Sequence, residues 1–212
     1  LTFDTQNLAN HGRLQSNILT LTTEGLNNSG ILVSNEMTVS ATQLRNSGLI
    51  SALETAQFTV ESMMNTGTLN AKILSLEGST FTNSGDVLAQ TELDIQMTGK
   101  VTNDAGQIIS GLIQVTANRL ENTGLISSTG NIQLTMGDFS NSGTVNAQHL
   151  FVYGDTLSNQ GSLISSQNIA MIVDQVTNNG ILFAGDTLVI EADTLSNHGL
   201  ISAADQLKIT SE

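Results

Sequence analysis

Three columns of residues run the length of the chain at fixed distances from one another. Asn recurs in the pattern Asn-x-Gly, with one wider variant, at Asn10, Asn28, Asn46, Asn65, Asn83, Asn103, Asn122, Asn141, Asn159, Asn178 and Asn197. Ten intervals cover 187 residues, a period of 18.7, and single spacings vary only from 18 to 20. Two residues before each Asn stands an apolar side chain, from Leu8 and Leu26 through Val176 and Leu195. Two residues after each Gly stands an aliphatic one: Leu14, Leu32, Ile50, Leu69, Val87, Ile108, Ile126, Val145, Leu163, Leu182 and Ile201. Two further on comes only Ser or Ala, from Ser16 and Ser34 to Ala184 and Ala203. No repeat breaks these columns. A period this regular is the mark of a repeat architecture, in which one unit cannot bury its apolar face and stacked neighbours make a continuous core.

Most units add an apolar pair at i and i+2, such as Leu19/Leu21, Leu74/Leu76, Ile132/Leu134 and Leu188/Ile190. Alternation at period two is what a strand produces, because successive side chains point to opposite faces. A helix would need apolar residues at i, i+3, i+4 and i+7, and the abundant Thr, Ser, Asn and Gly resist helix formation. Each unit therefore predicts two or three short strands separated by turns that contain Asn and Gly. The Ser/Ala column predicts a narrow corner. The Asn column has two candidate structural roles, closing an Asx-type turn and forming an amide ladder between coils. The wide unit Asn103-Asp104-Ala105-Gly106, preceded by Met97-Thr98-Gly99-Lys100, predicts a bulge or a longer turn.

Composition narrows this picture. Hydrophobic residues reach 39% of the 212, enough for a core, while aromatics are 3% and Trp is absent, which suits something narrow and regular. Pro is absent and Gly numbers 19, so the turns are expected to rest on residues that tolerate positive φ. Charged residues are 12%, about half the usual share, and the polar surface falls to Ser, Thr, Asn and Gln. With a net charge of −13 and only six Lys and Arg, a phosphate-binding stripe is not available, which argues against nucleic acid as a partner. Zero Cys excludes disulfides and thiolate metal sites. No signal peptide opens the chain and no apolar run is long enough for a membrane span. Leu1 falls inside a pattern already running, so residues 1–212 are read as one β-helical repeat domain excerpted from something longer.

The stretches from Leu157 to Ser166 (LSNQGSLISS) and from Leu195 to Ala203 (LSNHGLISA) resemble the filamentous-haemagglutinin-type repeat. Eleven units in register carry the resemblance over essentially the whole chain. It implies an all-β fold, a right-handed parallel β-helix of about eleven coils. It also implies two-partner secretion from a Gram-negative bacterium, as an adhesin, a haemolysin-like exoprotein or a contact-dependent inhibition toxin carrier. The partners implied are an outer-membrane secretion protein and host- or target-cell receptors engaged through other regions.

Side chains that could carry chemistry are sparse. His11 and His198 occupy the variable middle position of the turn, ten repeats apart, and His149 reads as a polar residue at a strand edge. Asp186, Glu191 and Asp193 come nearest to an acidic cluster, yet glycosidase chemistry needs two carboxylates facing each other across a cleft. The nonapeptide of calcium-binding β-rolls is absent, and the glycines follow the coil period and precede no helix, unlike those of a phosphate loop. Asn27-Asn28-Ser29 is the one glycosylation-type triplet and falls in a repeat turn. No catalytic, cofactor or metal residue is assigned, so the expectation is not an enzyme. The leading reading is a structural segment of a secreted surface filament that presents distal adhesive or toxin-delivery domains. The alternative is a ligand-binding face on the coils, with Phe151 and Tyr153 nearest to an aromatic anchor. A β-helical polysaccharide lyase or hydrolase comes third, and it would need basic residues gathered beside carboxylates on one face.

Overall fold

The structure, a computed structural model, describes residues 1–211. Among these are 18 strands and no helix, joined in one sheet whose hydrogen-bonded neighbours run parallel. Each coil pairs with the next about one period further on, so Asn10 lies beside Asn28, Asn46 beside Asn65 and Asn159 beside Asn178. The fold is a parallel β-solenoid of about eleven turns.

The burial pattern gives each coil three sides. In the coil from 49 to 67, Ile50 and Ala52 point inward, then Ala56, Phe58 and Val60, then Met63 and Asn65. Alternation fails at Leu53 and Glu54, and again at Glu61 and Ser62, where consecutive residues face outward. Two outward residues in a row mean that the chain has turned a corner, since a straight strand must alternate. The third corner is the x-Gly pair after Asn65. The core is continuous and mainly aliphatic, with three phenyl side chains in separate coils, Phe58, Phe81 and Phe139, almost completely excluded from water. Each such side chain contributes roughly 1.5–3 kcal/mol relative to exposure.

In several coils the expected short strands merge. Leu49–Asn65 and Ser162–Asn178 are each one strand of 17 residues, because hydrogen bonding to the adjacent coils continues round two corners. Only at the third corner does every coil break. The wide coil breaks once more, between Met97 and Lys100, and its third-corner break is longer, across Asp104, Ala105 and Gly106. Ala105 has φ 54°, the one positive φ outside glycine among the described residues, which costs an L-residue about 1–2 kcal/mol.

Variation in coil length has one main location. From the Ser/Ala position to the next inward residue there are three steps in some coils, as from Ser34 to Met37 or Ala71 to Leu74. Others take four, as from Ala52 to Ala56 or Ala89 to Leu93. The pairing register shifts at this corner, between Ser34/Glu36, Ser51/Thr55, Ala71/Ile73, Ala89/Glu92 and Ala147/His149. An extra residue here lies outside the core and leaves the inward positions before and after it in line.

One inward column escaped the sequence reading. Five residues before each Asn, or six in the wide coil, the chain carries Ala41, Val60, Gly78, Met97, Ala117, Met136, Gly154, Val173 and Ala192 in stacking order. Large and small side chains alternate, so each Met or Val overlies the space left by Gly or Ala, as dense packing requires.

Candidate functional site

The feature that repeats in every coil is the third corner. Asn28 through Asn178 are at most 2% exposed, and each carries an amide that must be satisfied within the protein. Each Asn from Asn10 to Asn178 donates from Nδ2 to Oδ1 of the Asn in the next coil. Nine of the ten links measure 2.8 Å and the one from Asn83 to Asn103 measures 2.9 Å. An amide nitrogen has two hydrogens. The second points to the carbonyl of its own turn's Gly and to a carbonyl of the next coil, as in Asn65 to Gly67 O and Asp86 O, both 3.1 Å. Turn closure and inter-coil ladder are thus made by the same side chain. All ten links point the same way, so their dipoles reinforce one another along the rod.

The backbone of the corner is equally committed. The carbonyl of Asn28 accepts from the N–H groups of both Ser47 and Gly48, at 2.8 and 3.1 Å, and Leu49 N donates to Gly30 O at 2.9 Å. This explains the glycines, and it corrects the expectation that they serve positive φ. No glycine among the described residues has positive φ. A Cβ on Gly30, Gly48, Gly67, Gly85, Gly124, Gly143, Gly161, Gly180 or Gly199 would lie 2.1 Å from the carbonyl oxygen of the Gly one coil earlier. The residue is fixed by how closely two coils approach. At Gly12, in the first described coil, a Cβ would meet nothing within 4 Å.

The aliphatic column from Leu14 to Ile201 lies on the side after this corner. Leu32, Ile50, Leu69, Val87, Ile108, Ile126, Val145, Leu163 and Leu182 are at most 1% exposed, whereas Leu14 and Ile201, in the first and last described coils, are partly buried and pack against the core. In the last described coil Asn197, Leu207 and Ile209 are exposed, the last two at 46% and 44%. The Ser/Ala column sits before the first corner. There Ser128 and Ser165 donate to Gly111 O and Gln148 O of the preceding coil, while the buried hydroxyls of Ser34 and Ser110 find no partner.

Groups with reactive potential are dispersed. His11 hydrogen-bonds Ser29 Oγ at 2.7 Å on one end of the stack, and His198 is exposed at the other. Glu191 and Asp193 line one recess of about 210 Å³ with Asp174, and Asp186 lies on the far corner. Among the described residues no group of three His, Cys, Asp or Glu is placed to hold a metal ion. The cations occupy different sides: Arg13 beside the Gly corner, Lys72 at the first corner paired to Glu54 at 2.8 Å, Arg45 on the side before Asn46, and Lys208 on the middle side. Only Lys100 and Arg119 are stacked, and Glu121 binds both at 2.6 and 3.0 Å. The hydrogen bond from Lys100, with the charges of Lys100 and Arg119, holds the Glu121 carboxyl below its ordinary pKa. No sequence signal foretold this trio, since its members span two coils.

The haemagglutinin-repeat profile matches residues 4–57, 64–135 and 138–212, nearly the entire chain. The chain belongs to the haemagglutinin-repeat family. A haemagglutinin-repeat stretch of 103 residues, 49% of this chain, is 29% identical to the tRNA nuclease CdiA of Escherichia coli O6:K15:H31 (strain 536 / UPEC). It spans only 3% of that protein's length. No solved structure matches. Each of the three matched segments spans several turns of the solenoid, and each turn is closed by an Asn and a Gly.

Proposed function

We propose that residues 1–212 form a single β-helical repeat domain within a longer filament, part of a secreted exoprotein on the bacterial surface. Its work is to hold distal adhesive or toxin-delivery domains away from the cell. The observation that carries this reading is the unbroken Asn ladder of ten links, a device that extends a rod coil by coil. Family membership and the match to a small part of a far longer protein support it. Function then resides in length and stiffness, with no catalytic, metal or cofactor residue. An outer-membrane secretion protein is the expected partner of the full-length protein, and receptors on host or target cells are met through other regions.

The test is deletion in units. Removing 141–158 joins Ser140 to Asn159 and restores the register in which Ser140 already stacks on Ser158. The full-length exoprotein should fold, lose about one coil rise of ~4.8 Å in reach, and retain adhesion or toxin delivery. Removing half of that unit should unfold the local stack. Loss of delivery on whole-unit deletion, with the rod intact, sinks the spacer reading.

A second reading is favoured by one observation. His149, Phe151 and Tyr153 share the outward face of one strand, with the His149 and Phe151 rings stacked at 6.4 Å and 22° between planes. Such a row could anchor a ligand on the coils themselves. Specific, saturable cell binding by the purified chain, abolished by Phe151→Ala and Tyr153→Ala, would promote this reading over the spacer.

A further inference from the structure

The outward positions on the three sides of the rod differ in kind. On the side that follows the Gly corner, ten of 22 outward positions are Ile, Leu, Val or Phe. On the side before the Asn column, Met64 is the one outward residue of comparable size and polarity among the same number of positions. Polar residues thus suffice on the outside of an equivalent strand, and strand propensity alone does not call for the apolar ones. They are also contiguous. Leu88 stacks on Ile109, with Leu125 diagonally placed in the next coil. Two coils further on, Ile164 stacks on Phe183, which shares its strand with Ile181. Ile181 and Phe183 are 40% and 37% exposed, and the other four are half-buried. An outward apolar surface that recurs through so many coils marks an interaction site.

Charge and area select what can cover it. Each chain carries −13, so two copies repel wherever acidic ladders meet. The middle side has six carboxylates among its outward positions and one cation, Lys208. The side after the Gly corner has one of each, Asp86 and Arg13, and no net charge. It runs about 48 Å along the stack and is about 13 Å wide, from coil rise and the length of a four-residue strand such as Leu125–Ser128. Two such faces together would cover about 1,250 Å², at the lower end of stable protein–protein interfaces.

We propose that this face is where a second copy of the chain packs, two rods side by side with sheet against sheet, as the layers of a β-sandwich pack. The pairing goes beyond the spacer reading and does not depend on it, because it needs only the stacked coils and their outward side chains.

The test is sedimentation equilibrium of the 212-residue chain over a range of concentration and salt. The mass should rise from 22.3 kDa to twice that value in the micromolar range, and added salt should tighten the association by screening the repulsion between two acidic rods. Ile164→Glu with Phe183→Glu should weaken it at least tenfold, since the carboxylates would be buried in the interface. Ser158→Glu with Thr177→Glu puts the same charge on adjacent coils of the side before the Asn column, and should change it less than twofold. All four residues point outward, and circular dichroism should show both double variants folded. A chain that stays at 22.3 kDa up to about 1 mM overturns the proposal and leaves the face to a different partner. Equal weakening by the two double variants, or association that loosens with salt, overturns it as well.

Discussion

The third corner of each coil and the first are built from similar small and polar residues, yet they tolerate change very differently. At the third corner Asn and Gly keep one spacing in every coil but the wide one, the amide is buried, and a Cβ on the glycine has no room. At the first corner the chain takes three steps or four, the pairing register shifts, and side chains such as Leu53 stand 69% exposed. The difference lies in what faces the neighbouring coil. At the third corner backbone touches backbone across the whole stack, and any displacement is passed to both neighbours. At the first corner an added residue bulges into water. A solenoid of this kind needs one locked edge to keep its coils in register, and only one.

The sharpest way to break the comparison is to give the locked corner a side chain. Gly67→Ala should destabilise the chain by at least about 3 kcal/mol, at or beyond the upper range for overpacking, because its Cβ meets backbone. Gly12→Ala, the same change where nothing lies within 4 Å, should stay within about 0.5 kcal/mol in urea unfolding. Equal effects at the two positions would mean that conformation and not approach distance selects the glycine.

Next in size is the ladder. Asn65→Ala removes the donor to Asn83 and the acceptor for Asn46, leaving buried polar groups unpaired on both sides. A loss of roughly 2–4 kcal/mol is expected. Hydrogen exchange should show the damage concentrated in the flanking coils, since each coil contacts only its neighbours. The Ser/Ala column offers a finer contrast at the free corner. Ser110→Ala relieves an unpaired buried hydroxyl and should raise stability by about 1 kcal/mol, whereas Ser165→Ala loses a bond to Gln148 O and should lower it by about as much.

Deleting Leu53 converts a four-step corner into a three-step one. The melting profile should move by less than about 1 kcal/mol of stability, as for an exposed loop residue. A loss comparable to that of Gly67→Ala would erase the distinction between the corners. The smallest expected effect is electrostatic. Glu121 has its folded pKa lowered, chiefly by Lys100, so its contribution is present above the ordinary carboxylate pKa and is lost as pH falls through the lowered value. Partial exposure limits this to less than about 1 kcal/mol, and Glu121→Gln should remove that acid-side dependence from the unfolding free energy.

The sequence by itself determined the period, all but one of the inward columns and the place of the turn, because alternation and recurrence are properties of a single chain read in order. Asn and the aliphatic residue four or five places later are legible in each unit, and so is the irregularity at Asp104 and Ala105. What the tertiary structure decided are quantities that exist only between coils. The glycines looked like positive-φ turn residues until Gly48 O was found where a Gly67 Cβ would stand. Asn turned out to need no choice between turn closure and ladder, since its two amide hydrogens serve both. The merging of strands round corners, the large-and-small alternation from Ala41 to Ala192 and the bridging of Lys100 and Arg119 by Glu121 all depend on which residue stacks on which. That register is fixed by small length changes at the first corner, where the sequence carries least pattern, so distances across it could come only from the folded stack.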